Sequence, residues 1–208
     1  MPEQTLTTGK RLVEAATALL DSGGEAAVTL RAVAQAVGVS HNTPYRHFAD
    51  RAALLAAVAE RDFTMLTDAF TATEGTRLQP LAKVKDALDA FVVYGETYPA
   101  RYRLLFSDPG IASPGGELEA AAMRSFAAFA KLIEGAQASG DLPATMPTAT
   151  LTGVVFATVH GLLDLQAGGR MREEKGLSRA AAGVAVLFEL IAPRGDAAAQ
   201  SCATVSSP

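Results

Sequence analysis

His41, Asn42, Thr43, Tyr45, Arg46 and His47 crowd hydrogen-bonding groups into one short segment. An Asn amide matches the major-groove edge of adenine and an Arg guanidinium that of guanine. Tyr, His and Ser suit phosphate oxygens, which fix register without reading sequence. The chemistry is that of recognition and not of turnover. The three histidines are His41, His47 and His160; the first two are six apart, not the i, i+4 pair of a metal-binding helix, and no Cys or acidic residue completes a ligand set. No glycine-rich phosphate loop and no Ser-centred nucleophile elbow occurs. No catalytic residue, metal or cofactor is expected. An all-helical small-molecule-binding protein or enzyme without DNA binding is the alternative.

The segment needs elements to hold it. Leu30, Val33, Ala34 and Val37 recur at i, i+3, i+4 and i+7, one face of a helix. Thr29 is a suitable N-cap, and Val28 with Val33 can form a hydrophobic staple. Gly38 stops the helix by taking the left-handed conformation without a Cβ penalty. After Val39, Ser40 can cap a second helix whose side chains are polar and aromatic. Asp50 caps the next helix, beginning at Arg51, whose N-terminus adds N–H groups and a cation. One bracing helix followed by one polar presenting helix is the asymmetry of a helix-turn-helix. A surface hairpin of helices with no partner would show the same spacing. Pro44 is out of pattern: as the fourth helical residue it loses the bond to the Ser40 carbonyl, so a distorted but unbroken helix start is expected.

Residues 9–63 resemble the N-terminal domain of the tetracycline-repressor (TetR) family of bacterial transcription regulators. The resemblance is carried by Leu12, Ala15, Ala16 and Leu19, Gly23-Gly24, Thr29-Leu30, Ala34, Val37-Gly38-Val39-Ser40, Tyr45-Arg46-His47-Phe48, Arg51 and Leu54-Leu55. It implies that His41, Asn42 and Thr43 face bases while Tyr45, His47 and Arg51 lean on phosphates. Thr29, Arg31, Ser40 and Arg46 complete the candidate DNA contacts. Arg51 stands where the family usually has Lys, and Pro44 where it more often has an aliphatic residue.

Charge gives no support by itself. The formal net charge is −4, and residues 9–62 balance six basic against six acidic side chains. Arg31, Arg46, Arg51 and two histidines can still form a local basic face, with a small counterion-release contribution and reliance on a dimer. A single cysteine, Cys202, excludes an internal disulfide. No signal-peptide pattern and no apolar run of roughly 18 residues is seen, so a cytoplasmic protein without a membrane partner is expected.

The fold class expected is all-α: a three-helix reading domain, then a helical ligand-binding and dimerisation domain. The boundaries are a flexible 1–8, a reading domain 9–63 with a linking helix from Asp50 to about Thr71, a regulatory domain 72–192 and a disordered tail 193–208. Pro80 opens a helix to about Thr97, Tyr98-Pro99 breaks it before a short helix through Phe106, and 107–116 reads as a loop. Further helices are expected over about 117–139, 148–167 and 178–191. Residues 148–167 are apolar almost all round, and the last helix is rich in Ala and Gly. A helix apolar on every face must be covered on every side. A second copy of the chain, joined through these two helices across a two-fold axis, is the expected cover; the alternative is that both helices fill one monomer's core.

The C-terminal part more weakly resembles the family's regulatory class named for a Trp-His-Gly motif, through Tyr98 to Phe106 and His160-Gly161. The chain has no Trp, and Val159 stands in that place. Such domains usually bind a small effector that changes the spacing of two reading helices on a pseudo-palindromic duplex, most often releasing a repressor. The candidate cavity is lined by Phe91, Tyr94, Tyr98, Tyr102, Phe126, Phe129, Phe156 and His160 and suits a small hydrophobic effector. The alternative for His160 is a core histidine satisfied by a backbone carbonyl or by Asp164 one turn on.

Overall fold

The computed structural model describes residues 7–107 and 116–192. The expected N-terminal flexibility and the disordered tail lie almost wholly outside these residues, as does most of the 107–116 loop. Among the described residues there are eight α-helices: α1 Thr8–Gly23, α2 Leu30–Val37, α3 Arg51–Glu74, α4 Pro80–Thr97, α5 Pro99–Phe106, α6 Glu117–Ala138, α7 Thr148–Ala167 and α8 Ala180–Ile191. The all-α expectation holds, and most helix ends fall within a few residues of their predicted places.

Local chemistry accounts for the ends. The Thr29 hydroxyl accepts from Ala32 N at 3.1 Å and starts α2; Asp50 Oδ1 accepts from Ala53 N at 2.8 Å and starts α3. Gly38 closes α2 at φ +73°, ψ +35°, where any Cβ would be strained. Pro80 and Pro99 are the first residues of α4 and α5, a position where the missing N–H has no partner to lose.

The helices sort into two compact units. Of the described residues, the first holds 7–76 together with 86–107 and 116–129, and the second holds 77–85 and 130–192. The chain leaves the first unit at 76/77, a few residues past the expected boundary near 72, and returns to it at 86. The core of the first unit joins Leu12, Ala16 and Leu20 of α1, Val28, Leu30 and Val33 about α2, and Leu54, Leu55, Val58 and Ala59 of α3. Leu104 of α5 is buried in the same cluster, so a helix assigned by sequence to the regulatory part belongs physically to the reading domain. Burying one such Leu contributes roughly 1.5–3 kcal/mol.

In the second unit α7 buries Leu151, Val155, Val159, Leu162 and Leu163, and α8 buries Ala180, Val184 and Phe188. The two helices approach closely at Gly183, where an added Cβ would lie 2.6 Å from Leu162 Cδ2. Gln166 Oε1 accepts from Ala180 N at 2.6 Å and fixes the start of α8. Gln137 ties down the loop before α7: its amide donates to the carbonyls of Pro143 and Met146 at 2.8 and 2.9 Å, and its carbonyl oxygen accepts from the Thr148 hydroxyl at 2.7 Å.

Against the expectation of no apolar run of membrane-spanning length, α7 is long and apolar enough to cross a membrane by length and composition, with a mean hydropathy of 1.3 over its most apolar window; threonines, His160 and Asp164 interrupt the run without lowering that average far.

Candidate nucleic-acid interface

After Gly38 the chain does not form the α-helix expected from Ser40. Residues 41–43 are turn and bend, and only Pro44–Arg46 close a single 3₁₀ turn. Most of the bonds are of i→i−3 type: Thr43 N to Ser40 O at 2.8 Å, Arg46 N to Thr43 O at 3.1 Å, and His47 N to Pro44 O at 2.9 Å; one i→i−4 bond, Phe48 N to Pro44 O at 2.9 Å, closes the turn. Pro44 explains this. Without an N–H it cannot reach the Ser40 carbonyl, so the helical bond pattern restarts at Pro44 as a first-turn residue. The Ser40 hydroxyl accepts from Asn42 N at 3.4 Å, a two-residue turn contact and not a helix cap. Pro44 itself is buried, and Phe48 is half-buried against the domain core.

The polar side chains face outward. Arg31, Ser40, His41, Asn42, Arg46 and His47 are exposed, Thr43 is half-buried, and Tyr45 is 61% exposed. Arg31 from α2 and His41 and Tyr45 from the turn line one surface concavity of about 380 Å³. A cation, an imidazole and a phenol so brought together can meet phosphate or a base edge. Thr29 is exposed, but its hydroxyl is engaged as the α2 cap.

Arg51 is placed differently from the implied phosphate role. Its Nε donates to Val28 O at 2.7 Å, and its Nη2 donates to Glu25 O at 2.6 Å and to Glu25 Oε1 at 2.9 Å. Three acceptors at the entry to α2 hold this guanidinium against its own domain. Arg11 braces the other end of α2, with Nη2 donating to Val37 O at 3.1 Å. That carbonyl lies at the negative end of the helix, where a cation is favoured.

The eight residues expected to line an effector cavity fall into separate groups. Phe91, Tyr94, Tyr98, Tyr102, Phe126 and Phe129 belong to the first unit, and Phe156 and His160 to the second. Phe91 and Tyr102 meet at 6.2 Å between ring centroids, and both pack on Phe106, at 5.7 and 5.2 Å. Phe63 of α3 joins edge-on to Phe106 at 5.5 Å. Phe129 pairs with Phe70 at 5.5 Å, and Tyr94 with Tyr98 at 5.8 Å. Phe106, Phe63 and Phe70 lie outside the expected lining. In the second unit the rings of Phe156 and His160 are 4.6 Å apart. Burial lowers the His160 pKa to about 4, opposed by the Asp164 carboxylate, so its imidazole is neutral at pH 7.

A buried polar cluster joins Tyr94 to residues outside those expected from the sequence. The Tyr94 hydroxyl donates to Asp62 Oδ2 at 2.8 Å. Arg101 Nη1 lies 3.7 Å from the same oxygen, while its Nε donates to Asp21 Oδ1 at 2.7 Å and its Nη2 to Asp21 Oδ2. The guanidinium is 4.1 Å from the centroid of the Tyr98 ring. Asp62 is fully buried, and desolvation raises its pKa against the hydrogen bond from Tyr94 and the charges of Arg101 and Arg61. Burial of Arg101 is outweighed by the Asp21 hydrogen bond and the two carboxylates, which leave its pKa raised. The signal was present: Asp62 falls on the apolar stripe of α3 with Leu55, Val58 and Leu66.

Comparison with known proteins gives this geometry a family. Residues 12–58 match the profile of bacterial regulatory proteins of the tetR family, and residues 84–190 that of the tetracyclin repressor-like C-terminal domain. No curated protein matches in sequence. Among solved structures, a Rhodococcus sp. RHA1 protein of unknown function superposes with a TM-score of 0.73 at 28% identity, over 91% of this chain and 96% of that one. SmeT, the repressor of the Stenotrophomonas maltophilia multidrug efflux pump SmeDEF, gives 0.63 at 20% identity over 93% and 94%. The TetR family regulator PfmR from Thermus thermophilus gives 0.62 at 18% over 86% and 96%. The last two share the fold. With the helix-turn-helix matched at one end and the C-terminal domain profile covering half of its length, the chain belongs to the TetR family of DNA-binding transcription regulators.

Proposed function

We propose that the protein is a cytoplasmic homodimer that represses transcription from a pseudo-palindromic operator and is released by a small hydrophobic effector. The observation that carries the reading is the concavity shared by Arg31, His41 and Tyr45, an exposed recognition surface on a domain whose apolar core is closed. Two-fold symmetry follows from need, because one such head presents few cations and a single half-site would be held weakly. Exposed Val154 and Leu165 on α7 and Val186 and Leu190 on α8 supply an apolar face for a second copy. The effector shifts the dimer between separations of its two heads, and its differential affinity for those states sets the loss of operator binding.

Repeated selection from random duplexes tests the reading. It should enrich a two-fold-symmetric sequence with half-sites about one helical turn apart, with affinity falling as salt rises. Failure to enrich any sequence above the input pool would remove the basis of the proposal.

A further inference from the structure

The cluster around Asp62 draws on four helices of the first unit: Asp21 from α1, Asp62 from α3, Tyr94 from α4 and Arg101 from α5. Asp62 Oδ1 is buried without a hydrogen bond; Arg61 Nη1 is 4.0 Å away and donates to Thr17 Oγ1 of α1 at 3.1 Å. A half-satisfied buried carboxylate is a poor device for stability alone. What the cluster does achieve is to fix α4 and α5 against α1. Asp21 is near the end of α1, and ten residues earlier, about 15 Å along the same helix, Arg11 holds the last carbonyl of α2. One rigid helix thus carries a charged tether at each end: to the reading pair at Val37, and to α5 at Arg101.

We infer that Asp21, Asp62, Tyr94 and Arg101 are positioning residues for the reading element, setting through α1 where the end of α2 and the 41–47 turn are held. The inference rests on the proposed DNA-binding function and deepens it. Tyr94 and Tyr98, which the sequence places at an effector cavity, are the residues that orient Asp62 and stack on Arg101. An effector seated against either ring therefore acts on the joint directly.

The test uses the full-length protein and a fluorescent duplex recovered by selection, with Asp21→Asn, Arg101→Gln, the double variant, and Arg103→Gln as a control for a removed charge on the same helix. Each single variant should bind at least roughly fivefold more weakly, with an unchanged slope of log affinity against log salt, because every phosphate-facing cation is retained. The double variant should be no weaker than the weaker single one, since both changes break one interaction, and the control should match wild type. Singles that bind like wild type while circular dichroism shows them folded, or losses that add in the double variant, would overturn the inference. If Arg101→Gln does not fold, Asp21→Asn and Tyr94→Phe carry the same comparison. Wild-type protein that selects no duplex would instead refute the DNA-binding reading, and the inference with it.

Discussion

The guanidinium of Arg51 and the carbonyl of Val28 are joined by a 2.7 Å hydrogen bond at the entry to the first reading helix. Glu25 adds its carbonyl and its carboxylate to the same side chain. The exposed ion pair contributes little by itself; the backbone bonds fix the loop before α2. Arg51→Gln should therefore weaken binding to a selected duplex severalfold by loosening that loop, yet leave the salt slope intact. Were Arg51 instead paired with a phosphate, removing its charge would reduce the slope by about 0.9 for each protomer. A salt titration of wild type and variant decides between the two roles.

Pro44 is predicted to be the sole cause of the 3₁₀ turn. Thr43 is held at φ −61°, ψ −44°, a helical conformation that a following proline disfavours. Pro44→Leu restores the N–H and keeps apolar bulk in a buried place, so a bond to the Ser40 carbonyl can form and residues 41–47 should become α-helical. Backbone chemical shifts of this segment should move to helical values, with an altered preferred sequence on selection. Unchanged shifts would mean that the turn is imposed by packing about Phe48 and not by the proline.

His160 should make the fold acid-sensitive. Its folded pKa of about 4 lies below the usual 6.5 because burial disfavours the imidazolium. The unfolded chain binds the proton more readily, so stability is fully present above pH 6.5 and falls as pH drops toward 4, by at most roughly 3 kcal/mol. Asp62 runs the other way, since its raised pKa makes protonation favour the folded state as pH falls. The difference between wild type and His160→Gln isolates the histidine: the two thermal stabilities should converge with falling pH between 6.5 and 4. Parallel curves across that range would show that the imidazole is not desolvated.

Much of the fold was legible because its determinants are local. Thr29, Gly38, Asp50 and Pro80 each act within about one turn of their own position, and each stands where the sequence pattern put it. The recognition turn departs from the helix its sequence suggests although the cause is local, because the loss of one N–H resets the bond pattern instead of only distorting the helix start. The Asp62 joint was beyond periodicity altogether. Arg101 meets Asp21 across 80 positions, and no spacing rule announces such a pair; the one legible trace was a carboxylate on an apolar stripe. Phe91 and Tyr102 carry aromatic bulk that composition announces, but their mutual packing with Phe106 and Phe63 is a tertiary contact that composition could not reveal.

The exposed face of α7 and α8 carries the last prediction. Val154 and Leu165 are eleven residues apart, close to three helical turns, and so share one side of α7; Val186 and Leu190 are one turn apart on α8, with Leu190 71% exposed. In a two-fold interface each residue is buried twice, so covering Leu190 contributes roughly 2 kcal/mol from each protomer. Leu190→Glu replaces that stabilisation with the desolvation of two like charges near a symmetry axis. The wild-type protein should sediment as a dimer at micromolar concentration, and the variant as a folded monomer with unchanged helical dichroism. Because each head alone neutralises few phosphates, the variant should also lose most of its affinity for a two-half-site duplex while binding a single half-site as wild type does. A variant that still sediments as a dimer would place the interface elsewhere.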